Sequence, residues 1–197
     1  TVLMVTWMPP VHHVTGMSER LWQVAEKLLW SGHKVLVASV SCSANNHDRR
    51  ATLDPRIEMV KCGSELNPAV VEQVAAEHAV EWVVIASWWF NHPAVRAPPE
   101  TWLPAIRDFA PNTAVVMLVD DLFVPFPYAY NESVSENAAN LIGVCGAELV
   151  SLAASDGVGT LTEEDALEVA GMLPSIPIPI VRVRYSLSSQ EGGVGEA

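Results

Sequence analysis

The chain has 197 residues, enough for one compact domain with a sizeable core and too few for two large ones. Half of the residues are hydrophobic and 17% are charged, a composition that excludes intrinsic disorder as the default. The formal net charge of −12 disfavours two classes of partner, because an acidic chain repels nucleic-acid phosphates and anionic lipid surfaces. We therefore predict no nucleic-acid binding and no strong membrane binding.

The first part of the chain alternates apolar runs with one amphipathic stretch. The apolar runs at residues 2–6, 35–38 and 57–60 predict three buried strands. Between the first two, apolar residues recur at helical spacing over residues 17–28, which predicts an amphipathic helix. Gly32 follows, and we expect it to end this helix by adopting the left-handed conformation that closes many helices.

The rest of the chain continues the alternation of helices and strands. The predicted helices cover residues 68–77, 102–109 and 132–154, and the predicted strands cover residues 82–86, 114–119, 158–161 and 176–183. Thr162 and Asp165 have the spacing of a capping box, which predicts a last helix whose dipole favours Glu163 and Glu164 in its first turn. Prolines interrupt the final strand, so we expect it at an edge of the sheet.

Short apolar strands that alternate with amphipathic helices are typical of crossover units in a parallel sheet. We therefore predict an α/β fold, a Rossmann-like three-layer domain with a mostly parallel sheet over residues 1–185. Residues 186–197, rich in Gly, Ser and Glu, are predicted to form a flexible tail. No apolar run approaches the ~20 residues that a membrane-spanning helix needs.

The three cysteines, Cys42, Cys62 and Cys145, are odd in number and far apart, without metal or disulfide spacing. Buried or idle thiols in a reducing compartment are the interpretation that we favour. The first strand begins almost at once, with no basic segment and apolar core of a signal peptide ahead of it. A cytoplasmic location is therefore predicted.

Ligands of open parallel sheets bind beyond the carboxyl ends of the strands, which directs attention to three loops. In the first, Gly16 precedes a helix, so a ligand could approach the backbone N–H groups at the positive end of that helix. A plain tight turn is the alternative. His12 and His13 could hydrogen-bond a polar ligand, and for at least one of them an exposed side chain without a role is the alternative. Adjacent loop residues disfavour a shared metal, and the lack of a G-x-G-x-x-G sequence disfavours NAD.

The loops after the fourth and fifth predicted strands carry aromatic and acidic residues. Trp88 and Trp89 could stack on a sugar ring or a partner, or else pack beneath their loop. His92 is a weaker candidate for the same site. Asp120 and Asp121 directly follow an apolar strand, where adjacent carboxylates could bind hydroxyl groups or a metal, or transfer a proton. A helix cap or a turn is the alternative.

The segment VLMVTWMPPVHHVTGMSERLWQVAEKLLWSGHKVLVAS (residues 2–39) resembles the start of the N-terminal domain of GT-B glycosyltransferases, specifically the retaining, family 4-like enzymes. The matching positions are Pro9, Pro10, Gly16 and the run Gly32-His33-Lys34-Val35. Further positions match a strand-and-helix motif of the family, and these are Asp156, Thr162, Glu163 and Asp165. The resemblance extends to about residue 183. Two positions depart from the family pattern, since Thr15-Gly16 replaces a Gly-Gly pair and Asp120-Asp121 stands where a histidine is common.

The resemblance implies that the chain is the N-terminal, acceptor-binding half of a nucleotide-sugar-dependent glycosyltransferase. A second domain, absent from this chain, would bind the donor, so the chain alone would turn over little. No metal and no cofactor besides the nucleotide-sugar co-substrate are implied. Asp120 and Asp121 are then the candidate catalytic residues, and the candidate substrate-binding residues are His12, His13, Thr15, Gly16, Trp88, Trp89 and His92. The alternative is a non-catalytic Rossmann-like binding or scaffold domain derived from such an enzyme.

Overall fold

The computed structural model describes residues 1–12, 16–42, 53–63, 66–86, 102–119, 149–160, 162–173 and 180–182. The strands in these ranges are β1 (Val2–Thr6), β2 (Val35–Ser39), β3 (Ile57–Cys62), β4 (Trp82–Ala86), β5 (Ala114–Leu118), β6 (Gly157–Thr160) and β7 (Ile180–Arg182). The helices are α1 (Gly16–Trp30), α2 (Pro68–His78), α3 (Trp102–Phe109), α4, described at residues 149–154, and α5 (Glu163–Met172). The predicted elements are confirmed where they fall in the described ranges, with most boundaries within two residues.

The described strands form one seven-stranded sheet in the order β3-β2-β1-β4-β5-β6-β7, and every neighbouring pair is parallel. The predicted Rossmann-like α/β architecture is confirmed. The chain first moves outward from β1 to β3 and then returns to β4 on the other side of β1. This reversal creates a switch point between β1 and β4, the place where such sheets bind ligands. The prolines correctly predicted that β7 lies at an edge.

Burial on both faces explains why the strands read as continuous apolar runs. In β4, Val83 and Ile85 point to one face and are fully buried, while Val84 on the other face is 8% exposed. In β5, Met117 is fully buried and Leu118, on the opposite face, is 5% exposed. A strand that is covered on both sides favours apolar residues at every position. The alternation of apolar and polar residues that marks a half-exposed strand is therefore absent from the sequence.

Two predicted helix ends are confirmed in detail. At the end of α1, Gly32 has φ 83°, and the N–H groups of Gly32 and His33 donate to the carbonyl oxygens of Leu29 and Leu28, each at 3.0 Å. This is the Schellman arrangement, which satisfies the last carbonyl groups of a helix. At the start of α5, Thr162 Oγ1 accepts from the Asp165 N–H at 3.0 Å. The Asp165 carboxylate accepts from the Thr162 N–H at 3.1 Å, which completes the capping box.

Asp156 ties the amino ends of β5 and β6 to α3. Its Oδ2 accepts hydrogen bonds from the Val115 N–H and from Arg107 Nη2, both at 2.6 Å. Its own N–H donates to the Val115 carbonyl oxygen at 2.8 Å. Arg107 also donates to the Thr113 carbonyl oxygen at 2.8 Å. The aspartate that the resemblance placed in a family motif therefore has a structural role where the strands begin.

The prediction of idle thiols is wrong for Cys42 and Cys62, which form a disulfide with a Cα–Cα distance of 5.0 Å. The two residues are 20 positions apart, a spacing that carries no signal by itself. They meet because β2 and β3 are parallel neighbours and each cysteine lies at or just beyond the carboxyl end of one of them. Cys145 lies outside the described residues. The predicted cytoplasmic location thus loses the support that it drew from free thiols.

None of the helices in the described ranges is both long enough and apolar enough to cross a membrane.

Candidate functional site

The loop after β1 lies at the switch point and is anchored to α1 by Ser18. The Ser18 side chain is fully buried, and its Oγ accepts a hydrogen bond from the Val11 N–H at 2.9 Å. The same hydroxyl lies 2.7 Å from the Val11 carbonyl oxygen and 3.1 Å from that of Pro9, the two acceptors available to its hydrogen. Val11 itself is 4% exposed. The loop therefore folds back on the first turn of the helix that follows it.

This fold-back brings His12 against one face of α1. Its Nδ1 lies 2.7 and 2.9 Å from the two carboxylate oxygens of Glu19. The imidazole also stacks on Trp22, with ring centroids 4.1 Å apart and an angle of 17° between the planes. Gln23 donates to the same carboxylate at 3.2 Å. Because these residues are three and four positions apart on a helix, they share one face and can hold the ring together.

The contact with Glu19 decides how the imidazole of His12 can act. An ionised carboxylate only accepts hydrogen bonds, so Nδ1 carries the hydrogen. In the neutral ring, Nε2 is then the basic nitrogen. The side chain is 38% exposed, so part of the ring lies at the protein surface, near the carboxyl end of β1. An oriented, partly exposed histidine can bind a hydroxyl group and take its proton.

The structure therefore places two of the predicted site residues. Gly16 is the first residue of α1, at its positive end as predicted. His12 lies in the β1 loop and contacts Glu19 and Trp22, and its role in ligand binding stays a prediction. The remaining candidates lie outside the described residues, and these are His13, Thr15, Trp88, Trp89, His92, Asp120 and Asp121.

The starting points of all three predicted loops lie at one edge of the sheet. Thr6, Ala86 and Leu118 are the last residues of β1, β4 and β5, which are consecutive parallel strands. Beyond β5, the Val119 N–H donates to the Gly159 carbonyl oxygen at 2.8 Å, so the chain still follows β6 just before Asp120. The convergence of the three loop origins, on which the predicted site depends, is confirmed.

Sequence reasoning missed Glu19, Trp22 and Ser18. Both Glu19 and Trp22 fall within the predicted amphipathic helix, and nothing in the sequence shows that the preceding loop folds back on them. A usable signal existed in their spacing. A carboxylate and an aromatic residue three positions apart, within ten residues of a loop histidine, can clasp that histidine if the loop reverses.

Carboxyl groups with shifted pKa values in the described ranges lie away from this loop. Hydrogen bonds from Arg56 lower the pKa of Asp54, ahead of β3. A hydrogen bond from Lys34 lowers the pKa of Glu58, and the N-terminal amino group lowers that of Glu81. The described residues also contain no group of three His, Cys, Asp or Glu side chains that could hold a metal ion.

An apolar cavity of about 470 Å³ lies between α1 and the sheet. Its wall includes Val24 and Leu28 of α1, Val84 of β4 and Val116 of β5. It also reaches Asp156 at the amino ends of the strands, and His12 does not line it. At its other end the cavity reaches Leu118, the last residue of β5 and the origin of the third predicted loop.

The parallel seven-stranded sheet, with its switch point beside β1, defines a Rossmann-like α/β domain. No protein-family model and no curated protein sequence matches the chain. Fifteen chains of solved structures are similar to it. One of them is Phytolacca americana UGT2, in its complex with UDP-2-fluoro-glucose and pterostilbene.

The match with Phytolacca americana UGT2 has a TM-score of 0.56 and a sequence identity of 10%. It covers 92% of this chain and 52% of the other, so the chain spans about half the length of that glycosyltransferase. At this identity the likeness shows the fold. The predicted GT-B type of fold is therefore confirmed, whereas the family 4-like assignment and the retaining reaction stay predictions.

Proposed function

We propose that this chain is the acceptor-side half of a nucleotide-sugar-dependent glycosyltransferase. The observation that carries the proposal is His12, held by Glu19 and Trp22 in the loop after β1, at the switch point of a GT-B-type sheet. An imidazole oriented by two neighbouring side chains at this position suits the binding of a hydroxyl-bearing acceptor. The solved glycosyltransferase with a similar fold is in complex with a UDP-sugar and pterostilbene, which supports the same classes of ligand here.

In this proposal, His12 is the base for the acceptor. The acceptor oxygen forms a bond to the anomeric carbon of the donor sugar, and the bond from that carbon to the nucleoside diphosphate breaks. The diphosphate leaves with the electron pair, and the acceptor hydroxyl loses its proton to Nε2 of His12. Glu19 stabilises the imidazolium that results, since its carboxylate already bonds Nδ1. The acceptor hydroxyl has to lose its proton whichever face of the sugar is attacked.

The donor is proposed to bind mainly to a second domain, because the chain spans about half the length of the similar glycosyltransferase. Residues 1–185 would then form the whole acceptor-side domain. The family 4-like assignment and retention of configuration are part of the proposal because the sequence resemblance implies them, and we propose a hexose as the transferred sugar on the same ground. Asp120 and Asp121 remain predicted catalytic residues, and the predicted acceptor-binding residues His13, Thr15, Trp88, Trp89 and His92 complete the proposed cleft.

The test uses the longest natural polypeptide that contains this chain, with UDP-glucose as the donor probe and a panel of hydroxyl acceptors that includes pterostilbene. We expect release of UDP and formation of a glucoside, both measured by mass spectrometry. His12→Gln should lower kcat by about 10²–10⁴-fold, the usual contribution of a general base, with a smaller change in KM. His33→Gln is the matched control, because His33 lies at the amino edge, just ahead of β2.

The outcomes separate the role of the residue from the function of the protein. Transfer that is equally fast in the wild type and in His12→Gln would refute the base and leave the transferase proposal standing. Binding of an acceptor without transfer from any nucleotide sugar would favour the alternative of a binding or scaffold domain. Loss of transfer in His33→Gln as large as in His12→Gln would show that folding, and not proton transfer, explains both.

A further inference from the structure

The Cys42–Cys62 disulfide lies at the same edge of the sheet as the candidate site. Cys62 is the last residue of β3, and Cys42 follows β2 by three residues. Both cysteines are exposed, so a reductant in solution can reach the bond. Exposed disulfides exchange with thiols more readily than buried ones.

Backbone hydrogen bonds connect this disulfide to the loop that carries His12. The Gly63 N–H, next to Cys62, donates to the Ser39 carbonyl oxygen at 3.0 Å. The Ser41 N–H, next to Cys42, donates to the Trp7 carbonyl oxygen at 2.7 Å. Between them, the Val40 N–H donates to the Thr6 carbonyl oxygen at 3.0 Å. The end of β3 is thus linked through the end of β2 to the first residue of the β1 loop.

We propose that the Cys42–Cys62 disulfide is a redox-sensitive clamp on the β1 loop. In the oxidised form the bond holds the segment 39–42 between β3 and Trp7, so that Ser41 stays in place to bond the Trp7 carbonyl oxygen. In the reduced form the covalent link from this segment to β3 is absent, and the contact with Trp7 opens more often. The clamp would therefore set how firmly the segment that leads to His12 is held.

The change of state is a thiol–disulfide exchange with an external dithiol, either a small molecule or a protein. One thiolate of the dithiol attacks one sulfur of the Cys42–Cys62 bond, forms a mixed disulfide with that cysteine and releases the other cysteine as a thiol. The second thiol of the dithiol then displaces the cysteine of the mixed disulfide. The protein gains two electrons and two protons, the dithiol becomes a disulfide, and a disulfide oxidant reverses the reaction.

Native-state hydrogen exchange of the full chain, measured by mass spectrometry, tests the proposal without any sugar transfer. Reduction with dithiothreitol should raise the exchange rate of the Ser41 amide by about tenfold, because local opening becomes easier. Amides of β4 should keep their rates, since β4 pairs with β1 and β5 and has no contact with the disulfide. Oxidised glutathione should restore slow exchange at Ser41.

Cysteine variants distinguish the loss of the disulfide from other effects of the reductant. Cys42→Ser and Cys62→Ser remove the same bond, so both should exchange at the rate of the reduced wild type, with or without dithiothreitol. Cys145→Ser keeps the pair and should behave as the wild type. Thiol titration of the unfolded, unreduced wild type should find one thiol per chain, against three after reduction.

Two results would overturn the proposal. Equal exchange of Ser41 in the oxidised and reduced wild type would show that the bond does not hold this segment. Three thiols in protein kept under air or oxidised glutathione would show that the pair does not form. Because neither readout requires catalysis, failure of the transferase proposal would leave this test intact, and the reverse is also true.

Discussion

Removing the Asp156 carboxylate should destabilise the chain more than its partly exposed position suggests. In Asp156→Ala, the buried Val115 N–H loses its acceptor, at a cost of about 1–3 kcal/mol for an unsatisfied donor. The ion pair with Arg107 adds only about 0.2–1 kcal/mol, because the two side chains are 45% and 31% exposed. We therefore expect a loss of about 2–3 kcal/mol in the free energy of unfolding.

Urea unfolding followed by far-UV circular dichroism measures this loss, with the disulfide kept oxidised in every sample. The midpoint should fall while the slope m stays constant, since the surface exposed on unfolding does not change. In a thermal melt the same loss corresponds to a decrease in Tm of about 4–12 °C for a chain of this size. Asp156→Asn should lose less than Asp156→Ala, because its amide oxygen can still accept from the Val115 N–H.

Asp108→Ala is the matched control, since Asp108 is an exposed aspartate in α3, next to Arg107. Its effect should stay within about 0.5 kcal/mol, as for most surface substitutions. Equal losses in Asp108→Ala and Asp156→Ala would attribute the effect to net charge. A midpoint for Asp156→Ala at the wild-type value would refute the structural role that we assign to this carboxylate.

Two further predictions concern a helix end and an ion pair. Gly32→Ala should lower the free energy of unfolding by about 1 kcal/mol, because Gly32 has φ 83° and alanine disfavours this conformation. Gly171→Ala in α5 is the control and should leave the free energy of unfolding unchanged or raise it. Urea unfolding midpoints of the two variants test both expectations. Hydrogen bonds from Arg56 lower the pKa of Asp54 in the folded state below the ordinary value of 3.8, so the resulting stabilisation is present above that value and disappears as the pH falls through the lowered pKa. Asp54→Asn and Arg56→Gln should therefore each flatten the acid side of the stability curve, measured by urea midpoints below about pH 5, and a wild-type curve that matches both variants would contradict this assignment.

Much of the fold was predictable because its signals are local. The central strands of this parallel sheet are buried on both faces over most of their length, and they therefore appear as short apolar runs such as residues 2–6 or 82–86. The end of α1 was predictable from Gly32, and the start of α5 from Thr162 and Asp165. The order of the strands in the sheet was not predictable. The alternation of strands and helices predicts parallel strands joined by crossovers, but it does not state which strand pairs with β1 on its second side.

The contacts that matter at the candidate site were not predictable, because they join segments whose approach depends on the whole fold. His12 contacts Glu19 because the loop, held by Ser18, folds back onto α1. Cys42 contacts Cys62 because β2 and β3 are paired neighbours. A sequence reports which side chains are available for such contacts, and the sheet decides which of them meet.

Because all described strands run in the same direction, their amino ends lie together on one side of the sheet and their carboxyl ends on the other, and different residues occupy the two sides. Asp156 and Arg107 fasten the end where the strands begin, while His12 and the origins of the three loops lie at the end where the strands finish. The contacts of Asp156 therefore lie at the opposite end of the strands from the loops in which we propose the ligand site. For protein engineering, stabilising substitutions are therefore best sought at the amino ends of the strands, and substitutions that alter the proposed ligand site at the carboxyl ends.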